Sequence, residues 1–562
     1  MSILQFESVH CKDCCKCVGV CPVKAIQVKN HQAGVVEQDC ILCGSCTVVC
    51  PQNTKHDQSF LPQARALIAA GKRVVASLAP SYAAFFGGCG LESMDAALRK
   101  LGFAAARETA EGAFLVKSEY EKLMAAGEMP CILSSCCSTV NAYVRKYCTE
   151  ALPFLAPVLT PMQAHARLLH AEDPDCAVLF IGPCVSKKAE AGEEGSEVAL
   201  ALSFHELRQW LEEEGVALTP GDPGAPRRSR FFPIPGGILR TMEPQTNYTW
   251  LAVDGPESCM ETLRDIAAGG LRGCFIEMSF CAGGCTGGPA FRREEQSLAR
   301  SGFLVTREAQ GCAAPSSADF DLPAPGDLST VFREEKIWRE EPTEEEIREI
   351  FRKMGKNGPE DELNCGMCGY PSCREKAKAV FSGRAEITMC MPYMKKRAES
   401  LSDKILSITP NAVVAVDRQL HIQHINQAAC QLFSVTPEQA LDRPVRDLMP
   451  EEGYVDLLVQ EKSQLQKYSF LSKQDVYLDE AYFYDAQGGL ILCIMRNITQ
   501  ARRRRNQMIQ HKAQVAGMAD QIVEKQLRIV HEIASLLGES AAETKVAISE
   551  LKDAVILEYE EE

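Results

Sequence analysis

Cysteine is the residue type that offers this chain most of its chemistry, since 27 of the 562 residues are cysteines. Cys281 and Cys285 stand in the glycine-rich segment 280–288, and Cys137 and Cys184 lie far upstream. Thiolates are soft donors that neutralise the charge of iron–sulfur clusters. Glycines let the backbone pass close to a bulky inorganic group because they have no Cβ. These four cysteines therefore indicate an iron–sulfur site.

The N-terminal region adds two cysteine runs of identical spacing, C-x-x-C-x-x-C-x-x-x-C-P, at 11–22 and 40–51. In this bacterial ferredoxin arrangement the fourth cysteine of each run binds the cluster of the other run. The two predicted 4Fe-4S ligand sets are Cys11, Cys14, Cys17 and Cys50, and Cys40, Cys43, Cys46 and Cys21. A zinc site needs only isolated cysteine pairs and would leave both fourth cysteines unexplained. Two adjacent cubanes would allow electron transfer from one cluster to the other.

Three segments in this order resemble the signature segments of the iron-only (FeFe) hydrogenases, and the resemblance covers residues 70–312. The segments are Ser134 to Val140, Gly182 to Glu190 and Glu277 to Gly288. The resemblance implies an H-cluster, in which a 4Fe-4S cubane is joined to a two-iron azadithiolate unit with CO and cyanide. Its implied cubane ligands are Cys137, Cys184, Cys281 and Cys285, and Cys285 would also bridge to the two-iron unit.

The same resemblance implies roles for residues around the cluster. Lys187 would place an ammonium beside an anionic cyanide. Cys136 would relay protons, since a thiol can both give and take a proton, although a cysteine beside a ligand can also simply pack. The other implied cofactor-binding residues are Pro80 and Ser81 after an apolar strand, and Ser279, Gly283 and Gly284 in the third segment.

Four positions depart from the usual hydrogenase pattern: Ser138, Val140, Gly182 and Ser279 replace Pro, Trp, Met and Met. Changes beside a cofactor alter its potential and solvent access. These departures argue against rapid turnover but not against cluster binding, and they resemble the sensory branch of the family. Glu119 and Glu121 are the only candidates for an acidic proton path, and a solvated helix face is the alternative interpretation.

A further cysteine set has the ligands Cys365, Cys368, Cys373 and Cys390. It resembles the small single-cubane domain of corrinoid iron–sulfur proteins and some electron-transport subunits. A zinc site remains the alternative. Thr343 and Glu346 have the spacing of a capping box and predict a helix that runs through Met354.

Residues 401–500 resemble a PAS sensor domain, with strands at 411–417, 421–426 and 490–499 and a helix at 427–433. A PAS fold by itself names no ligand. His421 and His424 could bind haem, but histidines on a solvated strand are the simpler interpretation. In the last sixty residues, apolar side chains at helical spacing, a stop at Gly538 and a second cap at Ser540 predict a helical hairpin.

The composition predicts which partners the protein does not bind and in which compartment it works. The net charge of −15 argues against nucleic-acid binding, and Arg502 to Arg505 are interpreted as a solvated helix face. The N-terminus has no apolar leader segment, and no apolar stretch is long enough to span a bilayer. With cluster ligands beginning at Cys11, the sequence predicts a protein of a reducing, anaerobic cytoplasm.

The sequence thus predicts a multidomain protein of mixed α/β and α+β class. The expected domains are a two-cubane ferredoxin domain (1–60), an H-cluster hydrogenase domain (61–312), a linker (313–342), a 4Fe-4S domain (343–400), a PAS domain (401–500) and a helical output or dimerisation segment (501–562). The expected cofactors are the H-cluster and three further 4Fe-4S clusters.

The predicted function is slow, reversible conversion of H2 to protons and electrons, used for hydrogen or redox sensing through the PAS domain. The alternatives are a hydrogenase-like iron–sulfur scaffold or an electron-transfer adaptor, both without the two-iron unit. The expected partners are H2 and protons, a ferredoxin-like electron partner, a separate signalling protein and a second copy bound through the PAS and C-terminal helices. No membrane partner is expected.

Overall fold

The structure is a computed structural model that describes residues 2–7, 10–219, 227–244, 247–293, 297–309, 319–460, 462–485, 489–537 and 547–552. The chain divides into two units, Met1–Met394 and Lys395–Glu562. The mixture of parallel α/β sheets with smaller α+β parts confirms the predicted fold class. Across the described residues, no helix is both long enough and apolar enough to cross a membrane.

The N-terminal cysteine runs are held by two short helices and two small sheets. Strands Leu4–Phe6 and Lys55–Asp57 pair antiparallel, and Ile26–Lys29 pairs with Gln32–Val35. Each helix, Lys16–Val20 or Ser45–Val49, follows a residue in the left-handed conformation, Cys15 with φ 56° or Gly44 with φ 72°. This sharp turn before each helix brings the early cysteines of the run back toward the helix.

Two parallel sheets form the centre of the first unit. The first has the strand order Ala105–Glu108, Val74–Leu78, Ala177–Gly182, Val198–Ser203. The second has the order Thr249–Asp254, Cys274–Ser279, Cys131–Leu133. Parallel pairing requires crossover connections, and buried parallel strands read as continuous apolar runs. The α-helices around these sheets are Leu61–Ala69, Tyr82–Phe85, Leu91–Lys100, Ala110–Ala126, Ser138–Tyr147, Pro161–Glu172, Ser186–Ala191, Phe204–Glu213, Gly237–Thr241, Pro256–Ala267, Pro289–Arg293 and Leu298–Ala309.

Each of the three hydrogenase-like segments, and also the turn at Ala79, spans or follows the carboxyl end of one of these strands. Ala79 follows strand Val74–Leu78, Ser134 follows Cys131–Leu133, Pro183 follows Ala177–Gly182, and Phe280 follows Cys274–Ser279. In open α/β sheets, ligands bind outside the carboxyl ends of the strands. The strand ends of both sheets therefore bring sequence-distant segments to one place.

The segment expected to be a linker lies along the first unit from residue 319 onward; its first residues, 313–318, are outside the described residues. The Asp319 carboxylate accepts hydrogen bonds from the backbone N–H groups of Arg228 and Ser229, both at 2.8 Å. Leu159 N–H donates to the Leu328 carbonyl at 2.9 Å, and Glu335 N–H donates to the Arg145 carbonyl at 2.9 Å. Its Pro- and Gly-rich composition suits an extended path whose backbone bonds to the neighbouring domain.

Helices Glu344–Lys353 and Cys373–Phe381 surround the further cysteine set, and helix Met391–Ile408 follows directly after Cys390. The capping box is confirmed: the Thr343 hydroxyl accepts from Glu346 N–H, and the Glu346 carboxylate accepts from Thr343 N–H at 2.7 Å. The helix ends at Lys353, one residue before the predicted end.

The second unit contains a five-stranded antiparallel sheet and a long helix. The strand order is Ile422–Ile425, Ala412–Val416, Leu490–Asn497, Val476–Asp485, Gln464–Leu471, and the helices beside the sheet are Gln427–Phe433, Pro437–Ala440 and Glu452–Val459. Helix Thr499–Leu537 contains 39 residues. The predicted stop and cap at Gly538 and Ser540 lie outside the described residues. Lys552, in the described segment 547–552, pairs with Asp520 of the long helix at 3.1 Å.

Candidate metal centres

One cavity lies at the carboxyl ends of both parallel sheets, with a volume of about 120 Å³. Its wall contains all four predicted H-cluster cysteines, Cys137, Cys184, Cys281 and Cys285, and also Pro80, Ser81, Cys136, Lys187, Ser279 and Gly284. Among the described residues, no three His, Cys, Asp or Glu side chains converge tightly enough for a single metal ion. The cysteines instead surround a space, as a cluster of several irons requires.

The thiols of this cavity are crowded together in an environment of low polarity. Burial raises the pKa of Cys281 well above its ordinary value, and the nearby thiols of Cys184, Cys137 and Cys285 raise it further. Burial is also the main cause of the raised pKa of Cys137. Thiols in this situation resist ionisation on their own, whereas a bound metal deprotonates a coordinating thiol. The donor set therefore fits an iron–sulfur cluster.

The buried hydroxyl of Ser81 is a second feature of the cavity that fits a bound polar group. Its side chain is fully buried, it faces the cavity, and its hydroxyl has no hydrogen-bond partner among the described residues. A buried hydroxyl without a partner costs about 1–3 kcal/mol of desolvation. A polar group of a bound cofactor, such as a cyanide, would accept this hydrogen bond, which fits Ser81 as one of the implied cofactor-binding residues.

Lys187 is fixed at the cavity wall by a single carboxylate. Its ammonium lies 2.6 Å from Glu190, and both side chains are buried. Glu190 also accepts hydrogen bonds from the hydroxyls of Ser138 and Thr160. Ser138 thus replaces the usual proline with a donor that helps to hold the partner of Lys187.

Cys136 contacts a tyrosine that the sequence analysis did not identify. The hydroxyl of Tyr120 lies 3.2 Å from Cys136 Sγ and 3.0 Å from Ser135 Oγ. It accepts from Ser135 N–H at 2.8 Å, and Ser135 Oγ donates to the Val158 carbonyl at 2.7 Å. Burial raises the pKa of Cys136 to about 12, so the thiol stays protonated near neutral pH. Tyr120 was detectable as part of the apolar helical stripe with Val116 and Met124.

The two glutamates considered for a proton path point elsewhere. Glu119 pairs with the exposed Lys122 at 2.6 Å. Glu121 pairs with Lys117 at 3.1 Å and accepts from Glu243 N–H at 2.8 Å. Neither residue lines the cavity.

Glu277 is a buried acid in the third signature segment, and the sequence alone assigns it no role. It is 2% exposed, and burial raises its pKa to about 7. Backbone N–H groups of Gly236 to Leu239 oppose this shift, and Leu239 N–H donates to the carboxylate at 3.1 Å. Its charge also raises the pKa of Cys136. Glu277 is therefore a titratable group close to the cavity near neutral pH.

The glycines of the third segment are required by close packing. A Cβ on Gly284 would lie 2.5 Å from the Pro233 carbonyl oxygen, and one on Gly283 would lie 2.6 Å from the Leu298 side chain. Both residues have positive φ. Gly284 lines the cavity but Gly283 does not, so Gly283 shapes the loop from behind.

Both ferredoxin ligand sets are brought together by the N-terminal fold. Cys11, Cys14, Cys17 and Cys50 line one small cavity. For the second set, burial raises the pKa of Cys46, and the thiols of Cys43, Cys40 and Cys21 raise it further. Cys43 also lies in the wall of the cavity that contains the four predicted H-cluster cysteines, hereafter the large cavity, and its thiol raises the pKa of Cys281. The second ferredoxin site therefore adjoins the predicted H-cluster site.

The fourth set forms a separate site near the surface. Cys365, Cys368, Cys373 and Cys390 line one small cavity together with Lys376 and Tyr370. In the second unit, His421 lies immediately before strand Ile422–Ile425, and its ring nitrogen is 3.8 Å from the Asp417 carboxylate.

Three family models match parts of this chain. Residues 72–289 match the family model described as iron only hydrogenase large subunit, C-terminal domain. Residues 361–392 match a model for an Fe-S cluster, and residues 406–503 match a PAS fold.

Three relatives cover parts of the chain. The cytosolic Fe-S cluster assembly factor NAR1 of Eremothecium gossypii is 34% identical over 84 residues, which are 15% of this chain and 19% of that protein. A 7Fe ferredoxin of Hydrogenibacillus schlegelii is 38% identical over 47 residues, 8% of this chain and 60% of that protein. A variant of the FeFe-hydrogenase HydA1 of Chlamydomonas reinhardtii aligns with 50% of this chain and all of its own, at 17% identity and a TM-score of 0.36.

Proposed function

We propose that this chain, which is FeFe-hydrogenase-like and carries iron–sulfur and PAS domains, interconverts H2 with protons and electrons at low turnover and acts as a hydrogen or redox sensor. One observation carries the proposal. Cys137, Cys184, Cys281 and Cys285 meet in a single cavity with Lys187 and the unpartnered hydroxyl of Ser81, and Cys43 of the ferredoxin domain stands in the same wall.

The four cysteines would hold an H-cluster, whose bound two-iron unit supplies the site at which H2 is split. Lys187, oriented by Glu190, would neutralise one cyanide, and Ser81 would donate a hydrogen bond to the other. Ser279 and Gly284 would complete the enclosure. The lining of the cavity is mostly apolar, which strengthens the electrostatic interactions of a bound group.

Cys136 would carry the proton to and from the cavity. Its raised pKa keeps a proton on sulfur, and the hydroxyl of Tyr120 orients that sulfur by a hydrogen bond. The electrons would pass to the ferredoxin domain through the side of the cavity formed by Cys43. The ferredoxin sets, Cys11, Cys14, Cys17 and Cys50 and then Cys40, Cys43, Cys46 and Cys21, would hold two cubanes, and the set from Cys365 to Cys390 a third.

Low turnover follows from the replaced positions around the cavity. A Cβ at Gly182 would lie 2.5 Å from the Phe180 ring, so Phe180 fills the space of the usual methionine. Val140 is fully buried in place of the usual tryptophan, and Ser279 is a smaller, polar neighbour of the cluster than methionine. Changed neighbours change the potential and solvent access of a metal site.

The sensory role and the remaining partners rest on the domain composition. We infer H2 and protons as substrates, a ferredoxin-like electron partner, a separate signalling protein downstream of the PAS domain, and a reducing, anaerobic cytoplasm. A second copy would bind along the C-terminal helix. Exposed Met508, Val515, Ile522 and Ile529 recur there every seven residues, as in a helix that pairs with another helix.

The alternative is a scaffold or electron-transfer protein that holds cubanes without the two-iron unit, which the short similarity to the assembly factor NAR1 favours. Infrared spectra of anaerobically matured protein distinguish the two. The proposed function predicts CO and cyanide bands that respond to H2, together with slow H2 evolution from a strong reductant. Protein with verified two-iron loading that evolves no H2 would contradict it.

A further inference from the structure

In sequence, the cysteine set from Cys365 to Cys390 stands beside the PAS domain, far from the ferredoxin runs. In the structure, its ligand loop contacts the ferredoxin domain. A Cβ on Gly369 would lie 2.8 Å from the backbone nitrogen of Gly19 and 2.8 Å from Val18 Cβ. Gly369 follows Cys368, and Gly19 lies between Cys17 and Cys21. Two cysteine-bearing loops are thus in van der Waals contact.

The ferredoxin side of this contact is helix Lys16–Val20, which lies next to ligands of both ferredoxin sites. It carries Cys17, which belongs to one ferredoxin ligand set, and it is followed by Cys21, which belongs to the other. The loop after Cys368 therefore packs against the element that serves both ferredoxin sites, at a point where only glycine fits.

A half-buried lysine bridges the two loops. Lys24 Nζ donates to the carbonyl oxygens of Val18 at 3.0 Å, Gly19 at 2.9 Å and Gly369 at 3.0 Å. Burial lowers the pKa of this lysine, while the thiols of Cys21 and Cys368 raise it. An ammonium between two thiolate-rich sites stabilises the negative charge on both sides.

Further polar contacts hold the two domains in register. Val28 N–H donates to the Arg384 carbonyl at 2.8 Å, and Asn30 N–H donates to the Glu386 carboxylate at 2.6 Å. The guanidinium of Arg384 pairs with Asp39, which is only 4% exposed and also pairs with Arg339 at 2.8 Å. A buried carboxylate with two guanidinium partners is a specific contact, since removing its partners would leave a buried charge.

Between the sites lie two side chains suited to an added electron. Tyr370 is 3% exposed and its hydroxyl has no partner among the described residues. Lys376 is 1% exposed, its ammonium lies 5.6 Å from the centre of the Tyr370 ring, and it donates to the Glu386 carbonyl. A buried ammonium favours the more negative form of a neighbouring group.

We propose that the site formed by Cys365, Cys368, Cys373 and Cys390 is a direct electron acceptor of the ferredoxin domain, joined to it through the contact of Gly369 with helix Lys16–Val20. One electron leaves a reduced ferredoxin cubane, and one electron reduces the cluster held by these four cysteines. The electrons come from H2 oxidation or from an external reductant. The H2-driven case rests on the proposed function.

Electron paramagnetic resonance on the full chain tests the contact without H2. The protein is loaded with cubanes, the two-iron unit is withheld, and dithionite reduces all clusters. We expect the ferredoxin-cluster signals in the wild type to be broadened by the spin of the cluster at Cys365, Cys368, Cys373 and Cys390, in addition to the spin of the cubane in the hydrogenase-like domain, and this added broadening to be lost in Cys368→Ala. The double variant Lys24→Met, Arg384→Ala should lose it too, with every cluster retained. Lys353→Ala, in a surface ion pair of the same small domain, is the matched control and should keep it.

Identical ferredoxin signals in the wild type and in Cys368→Ala would overturn the proposal. A second measurement exposes fully matured protein to H2. Reduction of the third cluster in the wild type, with its loss in the double variant while the ferredoxin clusters still become reduced, supports the proposal. If H2 reduces the ferredoxin clusters and leaves the third oxidised in the wild type, the proposal is wrong. If H2 reduces no cluster, the proposed function fails, and the dithionite experiment still decides the contact.

Discussion

The large cavity and the site around Cys368 both present four cysteines, but they are enclosed differently. The large cavity lies where two parallel sheets end. Its wall includes the buried side chains of Ser81 and Lys187, and Lys187 pairs with the buried Glu190. Around the second site, Leu363 and Met367 are 60% and 61% exposed. This difference is consistent with the proposed roles, because an apolar site suits the proposed H2 chemistry and a site near the surface suits the proposed electron exchange.

The largest effect should come from removing a ligand of the enclosed site. Cys285→Ala should abolish the CO and cyanide infrared bands and all H2 turnover, because alanine has no thiolate that would hold the cluster. The matched control is Cys176→Ala, a buried cysteine outside the cavity, which should keep both. Normal bands in Cys285→Ala would remove the assigned ligand role.

Proton delivery gives the next largest effect. Cys136→Ala should keep the infrared bands and lower turnover by about 10²–10⁴-fold, since a methyl group cannot carry a proton. Tyr120→Phe should lower turnover less, because it removes only the hydrogen bond that orients the thiol, a contribution of about 1 kcal/mol. Unchanged turnover in Cys136→Ala would mean that protons use another route.

Much of the enclosed site could be predicted because its residues follow strands in recognisable segments. Cys137, Cys184, Cys281 and Cys285 meet in one cavity as the resemblance implied. Tyr120 and Glu190 could not be assigned in the same way, since their contacts depend on how helices Ala110–Ala126 and Ser186–Ala191 pack on the sheets. The sequence places Tyr120 on an apolar helix face and Glu190 in a signature segment, but it does not show which side chains they contact.

The surface site shows the same limit at a larger scale. Its four cysteines and the capping box at Thr343 were identified from spacing alone, and the capping box is confirmed. The contact of Gly369 with Gly19 joins residues 350 positions apart, and its only local sign is a glycine beside a ligand. Likewise, the Pro- and Gly-rich composition of 313–342 indicated a linker but not the hydrogen bonds that fix Asp319 to Arg228 and Glu335 to Arg145.

The pH dependence of stability tests the low polarity around the enclosed site. Burial raises the pKa of Glu277 from 4.5 to about 7, so its contribution to stability is full below pH 4.5 and is lost as the pH rises through 7. The loss amounts to about 3 kcal/mol by pH 8. Glu277→Gln should flatten this dependence of the thermal midpoint between pH 5 and 8. A protonated-carboxyl infrared band that titrates near pH 7, absent from the variant, would identify the group; an unchanged pH profile would contradict the assignment.

The smallest effect on turnover is expected at the surface site, which nevertheless should have the largest effect on signalling. Cys368→Ala leaves the ferredoxin sites and the large cavity intact, so turnover with an artificial donor should stay near the wild-type value. Helix Met391–Ile408 begins directly after Cys390, and the buried Asn426 of the PAS sheet donates to the Leu406 carbonyl at 2.9 Å near its other end. A negative charge added by reduction beside the first turn of this helix interacts favourably with the helix dipole and can shift a two-state equilibrium there.

H2-dependent changes in hydrogen-exchange protection of the PAS domain should therefore disappear in Cys368→Ala and persist in the Lys353→Ala control. A PAS domain that still responds to H2 in Cys368→Ala would show that the signal bypasses this site, and a collapse of turnover in folded protein would place the site on the turnover path.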